Sequence, residues 1–294
     1  MEDTKENISK EKEFSEKSIK DFKNRKIEGI DGKNLKIIKE DYKDGLFENF
    51  GAVKIIFTNC DFSYSYFNRA YFNRVEFINC TFTGAIFNQS SFKNVKFNRC
   101  SFEYARFFHT ILPDEEILAN LPAWTNVRVE LLKNLRINAQ NTGNVEGVRD
   151  YLLEELDASR VHLLKVFQSK ESFYKDKYDS IGLRLKAFVK YVFLTVDKYF
   201  WGHGERPILL LRSILVCVIL STILICVYCK EPFIANNQFQ WHLTWKYFYE
   251  TLGFYISVNP ITEVDVKSKI IIGLMKTLFM GVFVTVLVRF LSKR

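Results

Sequence analysis

The sequence predicts an α+β membrane protein built from a β-coil of square cross-section, a helical connector, and two apolar helices bracketing a shorter one. Three observations predict it. Phe recurs every five residues from Phe57 to Phe107. That beat stops at Pro113, and helical spacing replaces it. Two charge-poor stretches, 207–228 and 270–291, complete the chain, each near the roughly 20 residues that cross a bilayer.

Composition sets the outer bounds. The 294 residues carry 42 Lys+Arg against 34 Asp+Glu, a net charge of +8. At ~100–200 residues per domain there is room for two or three units. The 28 Phe against 13 Gly and 5 Pro exclude collagenous or linker-like low complexity. Six Cys without an N-terminal signal peptide exclude a disulfide-built secreted scaffold. Four scattered His and no Cys/His cluster point to neither a metal centre nor a cofactor site.

Residues 1–45 form a charged arm with 12 Lys+Arg and 12 Asp+Glu. Apolar residues are sparse before Ile27, so the segment buries too little to repay its ordering entropy. Disorder is expected to about Asn24, with helix over Glu11–Lys23, as a docking tail or a solvated leader. Residues 27–52 are expected to cap the base of the coil.

The coil occupies 46–113. Phe57, Phe62, Phe67, Phe72, Phe77, Phe82, Phe87, Phe92, Phe97, Phe102 and Phe107 keep the beat, and Leu112 extends it. Two residues before each stands a generally small one: Ile55, Cys60, Ser65, Ala70, Val75, Cys80, Ala85, Ser90, Val95, Cys100, Ala105. A period of five fits neither a helix nor a flat strand. It fits a square coil with one five-residue side per face, Phe filling the axis and the small residue taking the space the ring leaves. Four sides make a turn, which predicts a super-period of twenty. Cys60/Cys80/Cys100, Asn59/Asn79, Val75/Val95 and Ala85/Ala105 obey it.

These residues resemble the pentapeptide-repeat proteins. The resemblance implies a right-handed quadrilateral β-helix, here a little under three coils, about 13 Å tall at ~4.8 Å per coil. Some members of that family are acidic rods that mimic duplex DNA. Residues 53–112 carry seven cations against Asp61, Glu76 and Glu103, net +4, and a surface of that sign cannot imitate phosphates. Its basic faces suit anionic lipid or nucleic acid, or are simply solvated. No specific nucleic-acid partner is expected, and a protein partner on the coil is a further candidate. The Cys ladder reads as small buried hydrophobes.

Residues 114–180 read as a cytoplasmic helical connector. Val127–Gln140 and Val145–Phe167 form an antiparallel helix pair, with Asn126 as N-cap of the first and Gly143 as its stop. Polar residues 168–180 end the soluble part. Over 181–206, Leu183–Phe200 sets an apolar stripe against Arg184, Lys186, Lys190 and Lys198. That pattern suits a helix in the membrane interface, or a core helix.

Residues 207–294 hold two spans. Basic residues precede the first and finish the second, which places both termini in the cytoplasm of a multi-pass inner-membrane protein. Between the spans, Trp241–Ile256 is aromatic, too short to cross and too apolar for a plain loop. This plan resembles the two-transmembrane pore domain of potassium channels, in which a dipping helix delivers a Thr-Val-Gly-Tyr-Gly filter. Tyr247–Gly253, with Thr251 and Gly253, resembles the pore helix, and Ser257, Val258 and Asn259 stand where the filter should be. The elbow Gly202-His203-Gly204-Glu205-Arg206-Pro207 is similar to one in bacterial proteins that join pentapeptide repeats to such a pore.

The filter glycines are missing, and Pro260 fixes φ where Gly would be free, so potassium selectivity is not implied. Lys276 lies inside the second span, either facing a pore and favouring anions or snorkelling to the headgroups. Gly273 and Gly281 serve bending as a gate or close helix packing. The function expected is an oligomeric, most plausibly tetrameric, weakly selective ion channel, bacterial, with membrane depolarisation as a candidate role. The alternative is a membrane-anchored scaffold that binds a partner without conducting. With no nucleophile–base pair or phosphate loop in the sequence, an enzyme is not expected.

Overall fold

The computed structural model describes residues 21–28, 35–204, 208–228, 234–235, 238–239, 241–258, 260–261 and 266–292. Most of the charged arm, including residues 11–20 of its expected helix, lies outside the described residues. The chain divides into two compact units, Met1–Phe188 and Val189–Arg294.

Twelve short strands build the coil: β1 Lys26–Glu28, β2 Leu35–Ile38, β3 Leu46–Glu48, β4 Gly51–Val53, β5 Ile55–Thr58, β6 Tyr66–Asn68, β7 Tyr71–Asn73, β8 Glu76–Ile78, β9 Ile86–Asn88, β10 Ser91–Lys93, β11 Lys96–Asn98 and β12 Arg106–Phe108. They stack as three four-stranded parallel ladders, β1-β4-β7-β10, β2-β5-β8-β11 and β3-β6-β9-β12. Bridges linking Asp41, Asp61, Thr81 and Ser101 make the fourth side. Partners stand twenty residues apart, as in Phe57↔Phe77 and Phe77↔Phe97. The coil therefore makes about four turns rather than three.

The expected base cap over 27–52 is itself coil, and the boundary at 46 moves back to Asp21. Ile37, Tyr42 and Phe47 hold the five-residue beat and only Ala52 breaks it. At that side Phe50 fills the usual small position and Ala52 the usual large one, both buried, so the volume is conserved with the places exchanged. The first strand pairs 25 residues away, Lys26↔Gly51, so one extra side's length of sequence enters between β1 and β2.

The axis is aromatic. Phe47, Phe67, Phe87 and Phe107 stack face to face at centroid spacings of 4.5, 4.7 and 4.9 Å, and Phe62, Phe82 and Phe102 at 5.1 and 5.2 Å. Each spacing is close to the interstrand repeat, so the backbone ladder sets the ring separation and no ring can slip. Hydroxyls and thiols at the small positions donate across coils to the carbonyls of ring-bearing residues: Ser65 Oγ to Tyr42 O at 2.7 Å, Thr110 Oγ1 to Phe87 O at 3.2 Å, Cys100 Sγ to Phe77 O at 3.4 Å. Burial pushes the Cys100 thiol up to about 11, and the neighbouring Cys60 sulfur together with burial pushes Cys80 up as well. These two thiols stay protonated and unreactive at neutral pH.

Two residues after each inward Phe the backbone turns left-handed. Asn59, Tyr64, Arg69, Arg74, Asn79, Gln89, Asn94, Arg99 and Tyr104 have φ between 48° and 59°. Each such residue other than Gly costs ~1–2 kcal/mol. Bonds between coils offset the cost, among them Asn59 N–H to Ile78 O at 2.9 Å.

The upper edge of the coil is closed by side chains that imitate a further strand. Helices α1 Asp114–Leu118 and α2 Thr125–Thr142 lie over it. Asn120 accepts from Cys100 N–H and donates to Phe97 O, both at 2.8 Å. Asn134 accepts from Phe107 N–H at 2.8 Å. Buried Asn138 accepts from Thr110 N–H at 2.9 Å and donates to Thr110 O at 2.8 Å. A primary amide presents the same donor and acceptor as a peptide group, so the edge is satisfied and blocked to pairing.

Helix α2 begins at Thr125 after Trp124, one residue before the expected Asn126 cap, and ends at Gly143 with φ 73° as expected. Asn144 caps α3 Val145–Gln168 by accepting from Gly147 N–H at 2.9 Å. Arg136 and Glu155 tie the two helices at 2.7 Å, and Asp114 accepts from the buried Tyr151 hydroxyl at 2.7 Å. The polar stretch after α3 is structured: α4 Ser172–Lys177 buries Tyr174, whose hydroxyl lies 3.0 Å from Thr125 Oγ1 and 3.2 Å from His162 Nδ1.

Candidate functional site

Helix α5 Ile181–Trp201 exposes most of its apolar stripe, Phe193 at 70% and Val189 at 61%, and buries only Ala187. In the C-terminal unit its end turns through Gly202–Gly204, where buried His203 at φ 57° holds Asp197 Oδ2 at 2.7 Å. The rest of the expected elbow, Glu205–Pro207, lies outside the described residues. Arg212 and Ser213, in α6 Ile208–Tyr228, donate back to the carbonyls of Tyr199 and Phe200. The two-stranded β13 Ile234–Ala235 and β14 Gln238–Phe239 precede α7 Trp241–Tyr255, and α8 Val266–Ser292 follows it.

Helix α7 packs on α6 through buried Leu243, Tyr247 and Tyr255, and the Tyr255 hydroxyl lies 3.2 Å from Ser221 Oγ. The candidate residues divide sharply. Thr251 is fully buried and returns its hydroxyl to Tyr247 O at 2.7 Å, and Gly253 is buried on the same helix. Ser257 and Val258 lie beyond it, exposed, in a turn. Asn259 lies outside the described residues.

That turn is a helix stop in which Ser257 adopts the left-handed conformation at φ 62°. Val258 N–H reaches Gly253 O at 2.8 Å and Ser257 N–H reaches Phe254 O at 3.1 Å, the paired bonds of a Schellman motif. Lys276 closes the arrangement. Its ammonium donates to Phe254 O at 2.6 Å and Ser257 Oγ at 2.9 Å, and lies 4.4 Å from the centre of the Phe254 ring. Lys276 thus caps the carbonyl end of α7, a role that neither sequence reading of this residue included. The sequence could not show this, because the partner group is a backbone carbonyl. A cleft of about 290 Å³ opens beside the turn between Ile214, Tyr255, Phe279 and Phe283.

A Cβ placed at Gly273 or Gly281 would meet nothing within 4 Å, so close packing inside one chain does not require either glycine. Thr277 and Thr285 return their hydroxyls to the Gly273 and Gly281 carbonyls at 2.9 and 2.8 Å, a bond that bends helices.

Among the described residues, no helix is long and apolar enough to cross a membrane. Described side chains run unbroken only over 212–226 in α6 and 269–285 in α8, short of the ~20 residues required. Nor does any group of three or more metal-ligating side chains assemble among the described residues.

Residues 53–121 match the family model of the pentapeptide repeat region, so the chain contains a pentapeptide-repeat domain. Among solved structures, two trypsin-treated forms of QnrB1, a plasmid-mediated fluoroquinolone resistance protein, are 15% and 17% identical, with TM-scores of 0.21 and 0.16. They align with 32% and 27% of this chain, which spans about half their length, 56% and 54%. A pentapeptide repeat protein from the thylakoid lumen of Arabidopsis thaliana is 14% identical over 31% of this chain and 73% of its own, with a TM-score of 0.14. No curated protein matches the chain. The potassium-channel resemblance of residues 207–294 gains no support from these comparisons.

Proposed function

We propose that the chain is the subunit of an oligomeric ion channel, most plausibly a tetramer in a bacterial inner membrane. In this reading the pentapeptide-repeat coil and its capping helices lie in the cytoplasm as an assembly or sensing domain. The observation that carries the reading is the short helix α7, packed on one long helix and clamped at its carbonyl end by Lys276 from the other. A short helix held at its carbonyl end between two longer ones supports this reading, since channel constrictions are built from fixed carbonyls and dipoles. Supporting it, the sequence supplies two apolar runs, 207–228 and 270–291, and the Gly–Thr pairs of α8 give the inner helix places to bend. The turn at Ser257 closes with side-chain and backbone bonds and offers no glycine-built carbonyl ring, so the pore is not selective for potassium.

The pentapeptide-repeat domain is also compatible with a membrane-anchored scaffold that binds a partner without conducting. Ion flux from liposomes holding the purified chain separates the two. The channel reading predicts salt leakage that disappears when 241–262 is replaced by a Gly/Ser linker. No leakage from correctly assembled protein under any voltage or salt gradient overturns it.

A further inference from the structure

We propose that the Lys276 ammonium is a built-in cation, occupying at the carbonyl end of α7 a site that would otherwise take a small monovalent cation. The inference deepens the channel reading and, for its consequence on selectivity, rests on it.

The coordination supports a cation site rather than an ordinary side-chain contact. A helix C-terminus carries about half a negative charge. The Phe254 carbonyl has two lone pairs, one taken by Ser257 N–H and the other directed to Lys276 Nζ at 2.6 Å. Ser257 Oγ adds a second oxygen at 2.9 Å and the Phe254 ring a π face at 4.4 Å. Two neutral oxygens, a helix dipole and an aromatic face are the surroundings that stabilise a weakly hydrated cation. The left-handed backbone at Ser257 brings its hydroxyl to the same point as the Phe254 carbonyl.

Among the described residues no carboxylate pairs with Lys276. Among the described residues only dipoles and the Phe254 ring meet its charge, which leaves a positive centre at the turn. A second cation arriving at the turn meets that charge in a partly desolvated place, where repulsion is weakly screened. An anion does not. The same lysine that holds α7 in position therefore sets the sign of the ion allowed past it.

Two measurements on the full-length protein test this. In the first, Lys276→Ala is melted in detergent in N-methyl-D-glucamine, potassium or propylammonium chloride at equal ionic strength. The variant should melt lower than wild type in the bulky cation and regain at least half the loss in potassium or propylammonium, while wild type is indifferent to the salt. Equal melting in all three salts overturns the site; should Lys276→Ala not fold, Lys276→Met is melted in its place. In the second, Lys276→Met in bilayers should raise the potassium-to-chloride permeability ratio at least about tenfold, with Lys276→Arg staying near wild type. Conducting protein whose ratio is the same in wild type and Lys276→Met overturns the role in selectivity. Cation rescue of melting without current in any variant sustains the site and counts against the channel. Current with neither rescue nor a change in ratio sustains the channel and refutes the inference.

Discussion

Removing the amide of Asn138 should destabilise the N-terminal unit by about 3 kcal/mol. Asn138 is 3% exposed and binds both the N–H and the carbonyl of Thr110, itself 1% exposed. In Asn138→Ala both bonds vanish and no neighbouring strand replaces them, so a buried donor and a buried acceptor lose their partners. Each unsatisfied buried group costs about 1–3 kcal/mol, so the two together cost about 2–6 kcal/mol, and partial entry of water at the coil's end brings the sum to about 3 kcal/mol. For a unit of this size the loss corresponds to a fall of roughly 6–12 °C in melting temperature, read from the coil's circular dichroism. Asn134→Ala, at a half-exposed site that also binds both groups of Phe107, should lose about half as much. Exposing the edge should also promote end-to-end association, visible by light scattering. An Asn138→Ala protein that melts within about 1 °C of wild type and stays unassociated would refute the idea that side-chain amides close the coil.

Three further outcomes concern the coil and connector. Phe82→Ala should cost ~3–5 kcal/mol by leaving a cavity between two stacked rings, and Phe82→Leu less than half of that; denaturant titration measures both. Asn79→Val should cost ~1–2 kcal/mol at a left-handed position and Asn79→Gly nearly nothing, so equal melting of the two variants would argue against strained corners. Burial first, then the Lys177 and Lys165 charges, hold His162 below the ordinary histidine range. Its neutral form is favoured in the folded state, so its contribution is complete above about pH 6.5 and is lost as pH falls below that value. His162→Gln should flatten this acid dependence of the melting temperature.

The beat of eleven Phe made the coil legible because each inward position repeats one physical requirement. The lower coil was hidden by one exchange, Phe50 for Ala52, although Ile37, Tyr42 and Phe47 keep the phase. The left-handed corners left a faint signal in Asn49, Asn59, Asn79 and Asn94, residues that tolerate that backbone. The amide caps left none, since Asn120, Asn134 and Asn138 become strand mimics only once the helices lie over the edge. In the same way Tyr174 reads as part of a polar tail until Thr125 and His162 are brought to its hydroxyl. Thr251 and Ser257 were picked out together by sequence, yet one is buried in a helix and the other is exposed in a turn. Only three-dimensional burial separates them.

Charged thiol reagents applied to Ser257→Cys during a planar-bilayer recording test most directly whether this turn borders a path for ions. With Cys217, Cys226 and Cys229 changed to Ser, because Cys226 is only half-buried, current should change within seconds of adding the reagent, and the same background without Ser257→Cys should not respond. Steady current through channels whose introduced thiol is shown by mass to be fully modified would contradict a pore at this turn.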